Sequence, residues 1–286
     1  MNTEEEILKR LLRLFPVSIL KSHFNIKAVS QEHVIRDIIQ ENTSSAIFHF
    51  ANLHFESTKQ HVYLFNFQKN ISTDIQLPEK VKYDYFDSHN DKTYLTYFVP
   101  VKFTVLDIIT TQKVDLTFLC PVRVHYNNKT KVLELKITIL ERQDKSLFQN
   151  RIVIISKTFD ETSIVNYFIN FLNTKEITLI PIDLNKGIKE LWAKDIIDVP
   201  SVKYKKSKST STEIMDEEFT LKKDLPEIYA IIIKGPLEKT TCKFLSPDEY
   251  LPYFRVEPLN GFLAFSTYPT TLKSVNNVVD LILKHN

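Results

Sequence analysis

The chain has 286 residues, 43% hydrophobic and 25% charged, enough to bury at least one full core and, by length, two modest domains. Its 37 lysines and arginines against 35 aspartates and glutamates leave a formal charge of +2, so a polyanion partner would have to be met by local basic patches. Only three glycines occur, Gly187, Gly235 and Gly261, and they stand apart; this argues against GxxxxGK[ST], GxGxxG and GxSxG sites, which need several glycines for close backbone approach.

The opening MNTEEEILKR places three glutamates where a signal peptide needs a basic stretch and an apolar core. No window approaches the roughly 18 uncharged apolar residues of a membrane span. The expectation is an intracellular protein, cytoplasmic, nuclear or nucleoid, away from the membrane. Cys120 and Cys242 form no CxxC pair and are expected as buried small hydrophobes without a disulfide.

In chain order, Ile7, Leu11, Leu12, Leu14 and Phe15 recur at helical spacing until Pro16, and Ile19, Leu20 and Phe24 continue on a second short helix. Ser30 caps a third helix with the apolar face Val34, Ile35, Ile38 and Ile39; Ser44 or Ser45 caps a fourth through Ile47, Phe50 and Leu53. Residues 4–67 thus read as a helical module. The period then changes to two, with strand-like runs at 81–86, 93–105, 113–126 and 131–140, the last two joined by a turn at Asn127–Thr130. Beyond them come a strand at 151–156, a helix at 161–173, a strand at 176–182 and a helix at 184–195. Ser246, Pro247 and Glu249 form a helix-start signature, Asn260-Gly261 turns a hairpin within 253–266, and Val275, Val278, Val279, Ile282 and Leu283 mark a closing helix. Ser201–Thr212 reads as an exposed or disordered basic loop. The expected fold is α+β: a small helical bundle over 1–70, an antiparallel β-meander over 71–150 and a mixed α/β unit over 151–286.

Five histidines, His23, His33, His49, His54 and His61, crowd the helical module, but their spacings match no ligand pair, so they read as structural and neither a metal nor another cofactor is expected. Glu134-Leu135-Lys136 has the ExK form of PD-(D/E)XK nucleases, and alternation puts both side chains on one strand face. With the turn at Asn127–Thr130, Glu134 would face Arg123 and lie on the order of 27 Å from Asp115. A solvated Arg123–Glu134 pair is then the competing reading, with Asp107 or Asp84 as other carboxylates for a metal. Lys203, Lys205, Lys206 and Lys208 surround Tyr204 in the one dense basic run, and Glu213, Asp216, Glu217 and Glu218 follow it.

The stretch ILKSHFNIKAVSQEHVIRDII, Ile19 to Ile39, resembles the two-helix SAP nucleic-acid motif. Over Glu4 to Phe67, the segments EEILKRLLRLFP, SQEHVIRDIIQEN and IFHFANLHFESTKQHVYLFNF also resemble the N-terminal pyrin-like module of the CENP-N kinetochore family. The resemblance implies basic side chains carried to DNA or nucleosomes, here Lys9, Arg10, Arg13, Lys21, Lys27 and Arg36. The first expectation is therefore a non-catalytic DNA-binding or chromatin-associated subunit of a larger complex, using those residues together with Lys203, Lys205, Lys206 and Lys208. A protein-interaction scaffold without nucleic-acid affinity is the alternative, and a metal-dependent nuclease the third.

Overall fold

The computed structural model describes residues 3–72, 82–89, 92–140, 152–157, 161–206, 210–215, 220–246 and 250–286. The chain forms two compact units, one from Met1–Thr58 and Gln68–Thr178, the other from Lys59–Phe67 and Leu179–Asn286. The class is α+β: helices stand at both ends of the chain and the strands between them pair antiparallel.

The first unit begins with α1 (Glu4–Leu12), α2 (Val17–Phe24), α3 (Gln31–Glu41) and α4 (Ser44–Leu53). Most of the apolar positions expected from 3.6-residue spacing are buried, among them Leu11 and Leu12 of α1, Leu20 of α2, Val34, Ile35 and Ile38 of α3, and Ile47 and Phe50 of α4, while Ile7 and Ile39 are half-buried and Leu53 is exposed at the end of α4. Ser30 caps α3 by accepting from the His33 amide, as its position predicts. For α4 the cap is Thr43, one residue before the expected serines; its hydroxyl accepts from the Ala46 amide.

A single 3-10 turn, Phe55–Ser57, then leads into β1 (Gln60–Phe67), which belongs to the second unit. The helical module thus ends before residue 67, because Val62, Leu64 and Phe67 bury their side chains from a strand. The first unit resumes with β2 (Lys82–His89), β3 (Lys92–Asp107), β4 (Lys113–Asn127) and β5 (Val132–Thr138), a meander in that order, with β6 (Ile152–Lys157) also paired to β3. Helix α5 (Glu161–Asn173) buries Ile164, Val165, Phe168 and Leu172.

One detail of the meander decides its chemistry. The Asn127 side chain accepts from the amides of Lys129 and Thr130, and Lys131 takes a left-handed φ of 60°, so pairing resumes at Asn127↔Val132. The register differs from the expected one by two residues: Glu134 faces His125, and Arg123 faces Lys136. A two-residue displacement keeps every side chain on its face and changes only its neighbours.

In the second unit the strand order is β1-β12-β11-β10-β8-β9, with β7 (Leu179–Pro181) on β1. Its remaining elements are α6 (Asn185–Ala193), β8 (Ile197–Lys205), β9 (Ser211–Met215), the short helices α7 (Leu221–Asp224) and α8 (Pro226–Ile232), β10 (Leu237–Phe244), β11 (Tyr253–Glu257), β12 (Phe262–Phe265) and α9 (Ser274–His285). The expected loop at Ser201–Thr212 is largely sheet: Val202 and Tyr204 bury inward while Lys203 and Lys205 alternate outward, and Ser211–Met215 returns as β9. Arg255↔Ala264 and Glu257↔Phe262 place the Asn260-Gly261 hairpin as expected. The expected helix start at Ser246, Pro247 and Glu249 runs into residues 247–249, outside the described residues. Cys120 and Cys242 are both buried free thiols, and burial pushes Cys242 up to about 12. Among the described residues, no helix is long and apolar enough to cross a membrane.

Candidate functional site

Two places hold polar chemistry that the sequence singles out. The first is the interface between the bundle and the meander, within the first unit. Arg10, expected to project to phosphate, is 5% exposed; its guanidinium donates to the Thr117 carbonyl at 2.9 Å and stands over the Phe118 ring. Burial lowers its pKa. Arg13 is also buried and donates to both Glu32 carboxylate oxygens at 2.7 and 2.8 Å. Lys9 pairs with Glu5 and Glu6, and Arg36 pairs with Asp37. Lys27 is exposed and Lys21 half-buried. Of the six bundle cations, Arg10 and Arg13 are thus withdrawn into packing instead of projecting, and two more are already neutralised.

Deeper in the same interface lies an ionic network that the sequence only half discloses. Lys136, 1% exposed, places its ammonium 3.2 and 3.3 Å from the two Glu56 oxygens and 3.4 Å from Glu134 Oε2. Arg123 stands 3.4 Å from Glu56, donates from Nε to the Thr96 hydroxyl at 2.9 Å, and donates to the Asn52 carbonyl and side chain. Its plane covers the Phe55 ring at 4.6 Å. His125 donates from Nδ1 to Glu134 at 2.9 Å and stacks on Tyr94. The expected solvated Arg123–Glu134 pair is therefore absent, and the face is buried. Glu56 was missed because it arrives from a one-turn helix 80 residues from Lys136.

Glu56, Glu134 and Lys136 match the residue types of a nuclease centre, but the ammonium occupies the space between the carboxylates where a metal would have to sit. The other candidate acids lie far along the sheet. Asp115 faces Thr104, ten residues along β4 from His125, or roughly 34 Å. Asp107 is buried at the same far end and accepts from the Ile109 amide; the side chain of Asp84 is outside the described residues. His125 with Glu134 has the form of a general-base dyad, yet His125 Nε2 is enclosed, with no hydrogen-bond partner among the described residues. The bundle histidines fare similarly: His23 and His54 share a hydrogen bond of 3.0 Å, and burial lowers both pKa values. Among the described residues, no three metal-ligating side chains converge. What the network can do is hold the end of α4 against the sheet.

Its electrostatics predict an acid response. Burial alone would push the Glu134 carboxyl up, but Lys136 and His125 outweigh it and hold it at about 2, below the ordinary 4.5. The unfolded chain then binds this proton more readily than the folded one, so the stability it supplies above pH 4.5 is lost as pH falls toward 2. The urea midpoint should drop across that window, and Glu134→Gln should flatten the drop; equal midpoints at both ends of the window would contradict the assignment.

The second place is the outward face of the second unit's sheet. Cα partners across a sheet share a face. The register therefore sets Lys203 between Glu213 of β9 and Lys239 of β10, Thr241 between Ser201 and Arg255, and Lys243 between Asp198 and Tyr253. Lys205, Lys206, Lys239 and Lys243 are exposed, and Tyr253 is 44% exposed. Lys203 lies opposite Lys239, a repulsive arrangement that Glu238 relieves at 3.6 Å. The Lys243 ammonium lies 5.6 Å from the Tyr253 ring and the Arg255 guanidinium 5.8 Å from the Phe262 ring. Arg255 Nε is buried with no hydrogen-bond partner among the described residues, and no ion pair within them neutralises this guanidinium. Lys208 lies outside the described residues. Lys239, Lys243, Tyr253 and Arg255 were missed because each is isolated in sequence; only the strand pairing assembles them with Lys203 and Lys205.

No family model matches the sequence, and no curated protein is significantly similar to it.

Proposed function

We propose that the chain is a non-catalytic nucleic-acid-binding subunit of a larger complex, and that its phosphate-binding surface is the outward face of the second unit's sheet. The observation that carries this reading is Arg255, a guanidinium without a carboxylate partner among the described residues, set among Lys239, Lys243 and Tyr253. A half-buried guanidinium without a carboxylate partner is satisfied when an anion meets its exposed part. The same reading gives the N-terminal bundle a structural role, in which Arg10 and Arg123 bind main-chain carbonyls and fasten helices to the meander. In the Glu56–Lys136 network two carboxylates are answered by Lys136 and Arg123, which fits a structural role for that cluster.

Four phosphate contacts, from Lys205, Lys239, Lys243 and Arg255, predict that log affinity falls with log salt at a slope of about −3. Fluorescence anisotropy with labelled oligonucleotides over roughly 50 to 200 mM salt measures it. Arg255→Gln should make the slope shallower by about one contact. A slope near zero, or magnesium-dependent cleavage lost in Glu134→Ala, would overturn the reading. Stable co-purification with another chain and no oligonucleotide affinity would replace it with the scaffold.

A further inference from the structure

We infer that the ligand of this face is a single strand, with its backbone laid across the strands and a base stacked on Tyr253. This rests on the nucleic-acid reading above and narrows it to one substrate class.

Shape separates single strands from duplexes here. From β9 to β11 the face is four strands wide and spans three strand spacings, roughly 14 Å. A major groove about 12 Å wide admits one helix or a two-stranded ribbon, so a surface four strands wide cannot reach base edges in a duplex. A flexible strand has no such restriction, because it can lie on the face and splay its bases outward.

The register supplies a track for it. Ser201 and Thr241 are small and adjacent, and they form the floor of one row across β8 and β10. Lys203 and Lys239 flank that row on one side and Lys243 on the other, each two residues away along its strand or about 7 Å. Arg255 continues the row on β11, beside Thr241. A phosphodiester backbone following the row passes between the Lys239 ammonium on one side and that of Lys243 on the other and meets the Arg255 guanidinium beside Thr241.

Tyr253 provides the stacking surface. It lies two residues from Arg255 on the same face of β11, so a base attached to a phosphate at Arg255 reaches the ring within one nucleotide. Tyr253 is 44% exposed, with Lys243 beside its ring to hold the adjoining phosphate. Aromatic stacking tolerates every base, so the face should show little sequence preference.

The test compares a fluorescein-labelled single-stranded oligonucleotide of mixed sequence with its duplex, at one salt concentration, using the full chain. The single strand should bind at least about 10-fold more tightly. Tyr253→Ala should weaken single-strand binding by about 5- to 100-fold and leave the duplex unchanged, while Tyr253→Phe, which keeps the ring, should restore it. Equal or tighter duplex binding overturns the single-strand inference and leaves the phosphate surface standing. Single-strand binding that ignores Tyr253→Ala, in a variant with an unchanged thermal midpoint, overturns the stacking geometry. Failure of both ligands to bind overturns the proposed function itself.

Discussion

Replacing Lys136 by alanine is expected to cost about 3–5 kcal/mol of unfolding free energy, measured by chemical denaturation. The ammonium is the cation shared by Glu56 and Glu134, and it is buried with them. Its removal leaves two carboxylates out of water with only Arg123 and His125 to answer them. Its own pKa follows the same balance: burial would lower it, but Glu56 and Glu134 together raise it. If this face were solvated, as the expected Arg123–Glu134 pair required, the loss would be about 0–1 kcal/mol. The double variant Glu134→Leu with Lys136→Met removes one charge of each sign and keeps the Glu56–Arg123 pair, so it should recover to within about 2 kcal/mol of the starting chain. A cost below about 1 kcal/mol for Lys136→Ala would place the network in contact with water and contradict its role in fastening α4.

Gly261→Ala should destabilise the second unit by about 2–5 kcal/mol. Gly261 has φ 60°, and a Cβ there would lie 2.5 Å from the Leu64 carbonyl oxygen and 3.0 Å from the Ile182 amide nitrogen. Both contacts are backbone, and the Leu64 amide itself donates to the Gly261 carbonyl at 2.8 Å. Side-chain rotation therefore cannot relieve the crowding. The opposing gain from a stiffer unfolded chain is about 0.4–1 kcal/mol, too small to offset it. Denaturation with an unchanged m-value and a midpoint equal to that of the parent would show that the turn can open without loss.

Much of the architecture was legible because it rests on local periodicity. Leu11, Leu12, Leu14 and Phe15 bury at the spacing that predicts the first helical run, and Val275, Val278, Val279 and Ile282 do so in α9. The errors fall where local signals compete. Gln60–Phe67 carries enough apolar residues to extend a helical reading, yet Val62 and Leu64 mark a strand. In β8 the lysines and serines suggested a loop, although Val202-Lys203-Tyr204-Lys205 already alternates with period two. The meander register turned on Lys131 adopting a positive φ, a conformation lysine seldom takes and composition does not announce.

The candidate sites were less legible because contacts distant in sequence build them. Glu134 and Lys136 share a face by alternation, but Glu56 enters from the 3-10 turn that follows α4. Arg10 and Arg13 follow the pattern of basic helix residues and are buried all the same, since a guanidinium can bind a carbonyl or a carboxylate inside a protein as readily as a phosphate outside it. On the second unit, Lys239, Lys243 and Arg255 acquire meaning only after pairing brings β10 and β11 beside β8.

Paired charge reversals in one binding assay test the central claim most directly. Lys239→Glu with Lys243→Glu should weaken oligonucleotide binding at least about 10-fold at moderate salt, while Lys21→Glu with Lys27→Glu should leave it within about twofold. The opposite pattern, with binding lost from the helical module and retained on the sheet, would contradict the account.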